Sequence, residues 1–208
     1  MEILKRYAVE YSKILTNQPL LSHVYIDAFA GAGVHISRTS GEMVLGSPLN
    51  ALEVFPPFRE FYLVDLDGDK VDALKSVVGE RKDVHIHHGD CNRVLLEQVF
   101  PHVQFPDYRR GLCILDPYGL HLDWRVIYTA GNMKSLDVFI NFPIYDININ
   151  VLHHDPKGVA SLHIARMNAF WGDESWRNVA YEKQAGLFGQ MEEKVSNERL
   201  AAAFRERL

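Results

Sequence analysis

Apolar residues along this chain alternate between two spacings. Ile3, Leu4, Tyr7, Tyr11, Ile14 and Leu15 recur as on one face of a helix, and Asn17-Gln18-Pro19 closes that run. Residues 24–29 then form a short, nearly continuous apolar run, the mark of a buried strand. The same switch repeats down the chain. Strands are predicted at 60–64, 84–88, 112–115 and 136–142, and helices at 49–55, 70–78, 94–100 and 124–130. Local punctuation agrees. Ser47 is a good N-cap with Pro48 at the first helical position, Pro56-Pro57 stops that helix, and Gly79 stops the next. Residues 34–46, rich in Gly, Ser and Thr, read as a loop.

Short apolar strands alternating with helices describe a parallel sheet covered on both faces. The expected fold class is therefore α/β, a Rossmann-like, doubly wound, mostly parallel sheet. The last third differs. After residue 150 the pattern predicts helices and loops but no strand, and residues 197–208 are amphipathic through Leu200, Phe204 and Leu208. The expected organisation is a core over 1–150 with its N-terminal helix, and a helical extension of the same domain over 151–208. The chain stops at Leu208 without a cap or turn signal, which reads as the loss of one or two closing strands.

Composition narrows the class. At 208 residues, 47% hydrophobic and 24% charged, the chain has material for one sizeable core. Apolar runs such as 138–140 are far shorter than the roughly 20 residues a membrane span needs. The N-terminus carries no signal-peptide pattern, and the two cysteines, Cys91 and Cys113, are no disulfide framework. A cytoplasmic location is expected. The net charge of −5 gives no general nucleic-acid footprint. Arg109-Arg110 and the group His153, His154 and Lys157 are local basic spots of the kind usually found on solvated surface.

Candidate chemistry gathers at the predicted strand ends. Asp27 sits within strand one, which runs through Phe29 into a Gly31-x-Gly33 turn that lets a ligand approach the backbone. A dinucleotide fingerprint needs a third glycine, but Ile36 occupies that position. The next helix begins only near Pro48, too late to hold a pyrophosphate. Both features disfavour a nicotinamide-dependent oxidoreductase, and a cofactor without phosphates, S-adenosylmethionine, fits better. Asp65, with Asp67 as competitor, ends strand two and is placed to accept from ribose hydroxyls. Asp90 follows strand three and could accept from an adenine amino group. Each of these three acids could equally cap a helix. Asp116-Pro117-Tyr118-Gly119 follows strand four. A carboxylate and a Pro-fixed carbonyl there would aim an amine, and the aromatic ring would line the acceptor pocket; a plain turn is the alternative. His85, His87 and His88 lack the aspartate that a metallohydrolase motif needs at Gly89, so no metal site is expected. Cys113, inside an apolar strand, is no nucleophile.

Together these residues resemble class I S-adenosylmethionine-dependent methyltransferases. More narrowly, the chain is similar to the three-Cys-motif partner protein (TcmP) family. The carrying segments are E-I-L-K-R-Y at 2–7, Y-I-D-A-F-A-G-A-G at 25–33, G-S-P-L-N-A-L at 46–52, Y-L-V-D-L-D at 62–67 and L-D-P-Y-G at 115–119. The resemblance implies a methyltransferase-like protein found beside a radical-SAM-like protein bearing three cysteines, and it supplies no substrate; the reaction expected from the residues is methyl transfer to an amino nitrogen, most plausibly of a nucleobase, with a non-catalytic scaffold as the alternative. The resemblance implies that Asp27, Phe29, Gly31 and Gly33 form the cofactor loop. Asp65 would be the ribose acid, Asp90 the adenine contact, and Asp116, Pro117 and Tyr118 the catalytic loop. Amino-methyltransferases of nucleic acid carry the loop aromatic in fourth place, whereas here Tyr118 is third and Gly119 fourth.

Overall fold

A computed structural model describes residues 2–36, 41–153, 158–186 and 189–208. His154 and Lys157, two of the expected basic residues, lie outside it, as does part of the loop expected after Gly33. The described residues form two compact units. One comprises 1–116 and 129–140, the other 117–128 and 141–208.

The first unit opens with helix α1 (Glu2–Thr16) and strand β1 (Ser22–Asp27). A small hairpin follows, β2 (Val34–Ile36) against β3 (Met43–Leu45), and then α2 (Ser47–Leu52). The remainder is β4 (Glu60–Asp65), α3 (Gly68–Val78), β5 (Val84–His88), α4 (Cys91–Val94), β6 (Arg109–Leu115), α5 (Trp124–Met133) and β7 (Leu136–Ile140). The first part of α5 belongs to the second unit. β1, β4, β5, β6 and β7 make one all-parallel sheet in the order β5-β4-β1-β6-β7, the Rossmann-like arrangement.

Central strands of such a sheet must be apolar on both sides. On one face Tyr25, Phe61, Leu63, Leu112 and Ile114 join Ala8 and Tyr11 of α1, Ala51 of α2 and Leu74 of α3 in a single core. The alternate residues Val24, Ile26, Val64, Cys113 and Leu115 are buried as well. Beyond β5 the helical turn of α4 widens over Leu95–Val99 and tightens again at Phe100–His102. A short polar relay crosses the core. The Ser12 hydroxyl donates to the Pro56 carbonyl at 2.5 Å and lies 2.8 Å from His23 Nε2. That puts the imidazole proton on Nε2, and burial lowers the His23 pKa, so the ring is held neutral.

Three expectations need correction here. The loop expected over 34–46 contains the β2–β3 hairpin. Strand β7 ends at Ile140, two residues before the expected boundary. Ser47 is not an N-cap: Gly46 holds that position and no side chain caps α2, because the Ser47 hydroxyl is engaged elsewhere.

The second unit holds α6 (Ile144–Asn150), α7 (Ser161–Trp171), α8 (Trp176–Ala180) and a hairpin of β8 (Tyr181–Gly186) and β9 (Gly189–Lys194). It ends with α9 (Asn197–Arg207), capped by the Ser196 hydroxyl. The hairpin corrects the expectation that no strand follows residue 150. Its residues are mostly polar, so the period-2 signal of a half-buried strand is missing. Phe204 of α9 packs against Phe142, Phe170, Trp171 and Trp124. No helix among the described residues is long and apolar enough to cross a membrane.

Candidate functional site

The strand order fixes where a ligand would find a crevice. From β1 the chain moves outward to β4 and β5, then crosses back to β6 on the other side. The topological switch therefore lies between β1 and β6, at whose carboxyl ends stand Asp27 and Asp116.

Asp27 is 1% exposed, and its carboxylate is turned into the protein. Oδ2 accepts from the Ser47 hydroxyl at 2.5 Å and from the Tyr25 hydroxyl at 3.3 Å, and Oδ1 accepts from the Phe29 amide at 3.2 Å. Loss of hydration raises its pKa to about 6 against the pull of those three donors, and the negative charge of Asp116 pushes the same way. Phe29, half-buried, thus enters through its backbone.

The glycine turn follows directly. Gly31 and Gly33 have φ of +64° and +81°, values that L side chains rarely adopt. The two differ in surroundings. A Cβ on Gly33 would come 2.8 Å from Leu74 Cδ1, so packing excludes it. A Cβ on Gly31 would meet nothing within 4 Å, so at this residue the backbone borders open space. The Gly31 amide donates to Asp65 Oδ2 at 2.8 Å, joining the ends of β1 and β4.

Asp65 Oδ1 accepts from the Asp67 amide at 2.9 Å. A carboxylate has about four acceptor sites, so Asp65 keeps capacity for a ligand. Its competitor Asp67 caps α3, accepting from the amides of Asp69 and Lys70. Asp90 caps α4, accepting from the Arg93 amide at 3.1 Å. The Gly89 amide donates to the Asp65 carbonyl at 3.0 Å, which brings the end of β5 beside that of β4.

Asp116 is exposed and is the last residue of the first of the two segments that make up the first unit. Pro117 and Tyr118 belong to the second, where Pro117 is buried and the Tyr118 side chain is 93% exposed. The glycine after them has a local cause. Gly119 has φ +78°, and a Cβ there would fall 2.9 Å from Asp146 Oδ2. That carboxylate also accepts from the Leu120 amide at 3.1 Å and, through Oδ1, from Asn150 Nδ2 at 2.8 Å. A fourth-place aromatic ring has no room in this turn.

His85 stacks on Tyr62 with ring centroids 4.9 Å apart. His87 bonds Gln98 at 3.2 Å, and His88 bonds the Leu66 carbonyl at 3.0 Å. No group of three or more His, Cys, Asp or Glu among the described residues could hold a metal ion. Burial pushes the Cys113 thiol well above its ordinary pKa. Of the expected basic spots, Arg109 pairs with Glu60 at 2.5 Å and Arg110 lies over the Phe105 ring at 3.9 Å.

Sequence reasoning missed Ser47 and Tyr25 as partners of Asp27, and Asp146 as the support of the turn at Gly119. Only the G-S-P motif hinted at the first.

No protein-family model matches the chain, and no curated protein matches it. Among solved structures, the crystal structure of protein LPL1258 from Legionella pneumophila str. Philadelphia 1, family-model DUF519, aligns at 17% identity with a TM-score of 0.41. The alignment covers 55% of each chain, so this chain spans about half the length of that protein.

Proposed function

We propose that the chain is a methyltransferase-like protein of the three-Cys-motif partner type. It binds S-adenosylmethionine at the carboxyl edge of its parallel sheet and methylates an amino nitrogen of a nucleobase. The observation that carries this reading is the coincidence of three features at one sheet edge: the topological switch between β1 and β6, the glycine turn with open space at Gly31, and the free acceptor capacity of Asp65.

The donor set suits a nucleoside without phosphates. Asp65 accepts from ribose hydroxyls with the capacity its two amide bonds leave, and Asp90 at the neighbouring strand end accepts from the adenine amino group. The Gly31 backbone lets the ligand lie against the main chain. When bound, the sulfonium supplies an electrophilic methyl group. Asp116 accepts a hydrogen bond from the acceptor amine and aims its lone pair at that methyl. Pro117 and Tyr118 follow Asp116 in the chain, and by the same resemblance they are the other residues of the catalytic loop. The N–C bond forms as the C–S bond breaks, and the amine proton leaves to solvent. Orientation of this kind is worth up to about 7–11 kcal/mol.

Calorimetry with S-adenosylmethionine and S-adenosylhomocysteine tests the reading. Saturable binding is expected, and Gly31→Val should weaken it at least tenfold, by about 1.4 kcal/mol. Saturable binding of neither compound overturns the proposal.

A second reading, a non-catalytic scaffold beside a three-cysteine protein, draws on the inward turn of Asp27 and the capping roles of Asp67 and Asp90. Asp116→Ala separates the two. The enzyme loses methylation with cofactor affinity nearly unchanged, whereas the scaffold keeps its partner binding intact.

A further inference from the structure

We propose that Ser47 is a positioning residue for the glycine turn. Acting through its hydrogen bond to the buried Asp27 carboxylate, it holds the turn in the form that receives a ligand. For its ligand-binding part this inference rests on the cofactor reading above.

The stakes that hold the turn can be followed in both directions. On the upstream side, the Ala30 amide donates to the Val64 carbonyl at 2.9 Å, and the Gly31 amide to Asp65 at 2.8 Å. On the downstream side, the Gly46 amide donates to the Gly33 carbonyl at 2.6 Å. The two backbones approach so closely that a Cβ on Gly46 would sit 2.9 Å from that carbonyl oxygen. Asn50 Nδ2 reaches back to the carbonyls of Leu45 and Gly46, both at 2.9 Å. The residue immediately after Gly46 is Ser47, whose hydroxyl meets Asp27 Oδ2 at 2.5 Å across 20 residues of sequence. The turn between Asp27 and Ser47 is thus closed into a ring whose last link is this side-chain bond. Because two side chains carry it, substitution can cut it without removing any backbone donor.

A buried carboxylate without a paired cation needs strong donors to offset its lost hydration. Among the described residues, Tyr25 on its own strand, Cys113 within β6 and Asp116 at the end of β6 are the titratable groups that face Asp27, and none of them supplies positive charge. Ser47 makes the shortest of the three bonds to it. The link is therefore strongest while Asp27 is ionised and weakens when it takes up a proton, an event centred near pH 6. The bond should be made at neutral pH and loosened in mild acid.

Two measurements test the link. The first needs no ligand: amide hydrogen exchange at residues 31–33 at neutral pH. Ser47→Ala should exchange at least tenfold faster there, with the amides of α3 and β5 unchanged, and Ser47→Thr should restore protection. The second is calorimetry with S-adenosylhomocysteine at pH 5 and pH 7.5. The native protein should bind at least tenfold more weakly at pH 5. Ser47→Ala should bind weakly at both values, without the step. If Ser47→Ala fails to fold, Ser47→Cys, nearly isosteric but a poor donor, carries the same expectations. Exchange at 31–33 equal to that of the native protein overturns the link outright. Faster exchange with unaltered binding and an unaltered pH step overturns its role in receiving a ligand. Faster exchange in a protein that never binds S-adenosylhomocysteine removes the cofactor reading and leaves Ser47 as an anchor of the turn.

Discussion

Phe204→Ala is expected to destabilise the second unit by about 3–5 kcal/mol, the range for emptying a large aromatic site in a packed core. Phe204 is 3% exposed and is the hub of an aromatic cluster. Its ring stacks on Phe170 at 5.0 Å and 13°, lies 4.8 Å from Phe142 and 5.6 Å from Trp171, and meets Trp124 edge-on at 6.0 Å. Each such pair adds roughly 0.5–1.5 kcal/mol beyond the area it buries. The partners come from separate segments, and Trp124 is itself wedged against Gly172, so the cavity cannot collapse cheaply. Measurement is direct because all three tryptophans of the chain, Trp124, Trp171 and Trp176, belong to the second unit. Urea denaturation followed by tryptophan fluorescence therefore reports on that unit. Leu208→Ala, at a 61% exposed position on the same terminal segment, should shift stability by no more than about 0.5 kcal/mol. A loss below about 1 kcal/mol for Phe204→Ala would show that the cluster is not the unit's core.

The central strands β1, β4 and β6 were legible because they are short apolar runs whose burial on both faces leaves little polar alternation to confuse them. Val24, Tyr25 and Ile26 are each at most 1% exposed. The two hairpins were not. In the β2–β3 ribbon Ile36 and Met43 are 72% and 75% exposed, so their apolar character carried no information about a core. The β8–β9 hairpin is mostly polar, and its closing pair, Gly186 and Gly189, is the one sequence cue it offers. The α6 segment misleads in the opposite sense. D-I-N-I-N alternates like a strand, yet it is helical with only Ile147 buried.

The candidate site divides along the same physical line. Acids at strand ends can be placed by counting along apolar runs: Asp65 ends β4, and Asp90 and Asp116 follow β5 and β6, whereas Asp27, expected inside a strand running on to Phe29, is instead the last residue of β1. What each carboxylate bonds is set by packing between distant segments. Nothing in residue spacing links Ser47 to Asp27 or Asp146 to Leu120, because such bonds exist only once α2 and α6 have docked.

The buried state of Asp27 carries a second large expectation, in the dependence of stability on pH. Its pKa rises from 3.8 to about 6 on folding, so the folded chain holds a proton that the unfolded chain has already lost. Between about pH 4 and pH 6 the native state therefore binds more protons than the unfolded state, and Asp27 makes stability fall as pH rises through that window. Below it both states are protonated and no cost arises. Above it the full cost of the buried charge is present, about 3 kcal/mol, since each tenfold change in proton affinity is worth about 1.4 kcal/mol. Asp27→Asn removes the charge while keeping an acceptor for the Phe29 amide. The variant should therefore gain on the native protein by about 2–3 kcal/mol between pH 4 and pH 7, whatever constant offset the altered bond to Ser47 introduces. Urea denaturation of both proteins at pH 4, 5, 6 and 7, followed by circular dichroism, reads the difference with other titrations cancelling. Parallel stability curves across that range would mean that Asp27 is hydrated in solution and that the carboxylate is not sealed beneath the glycine turn.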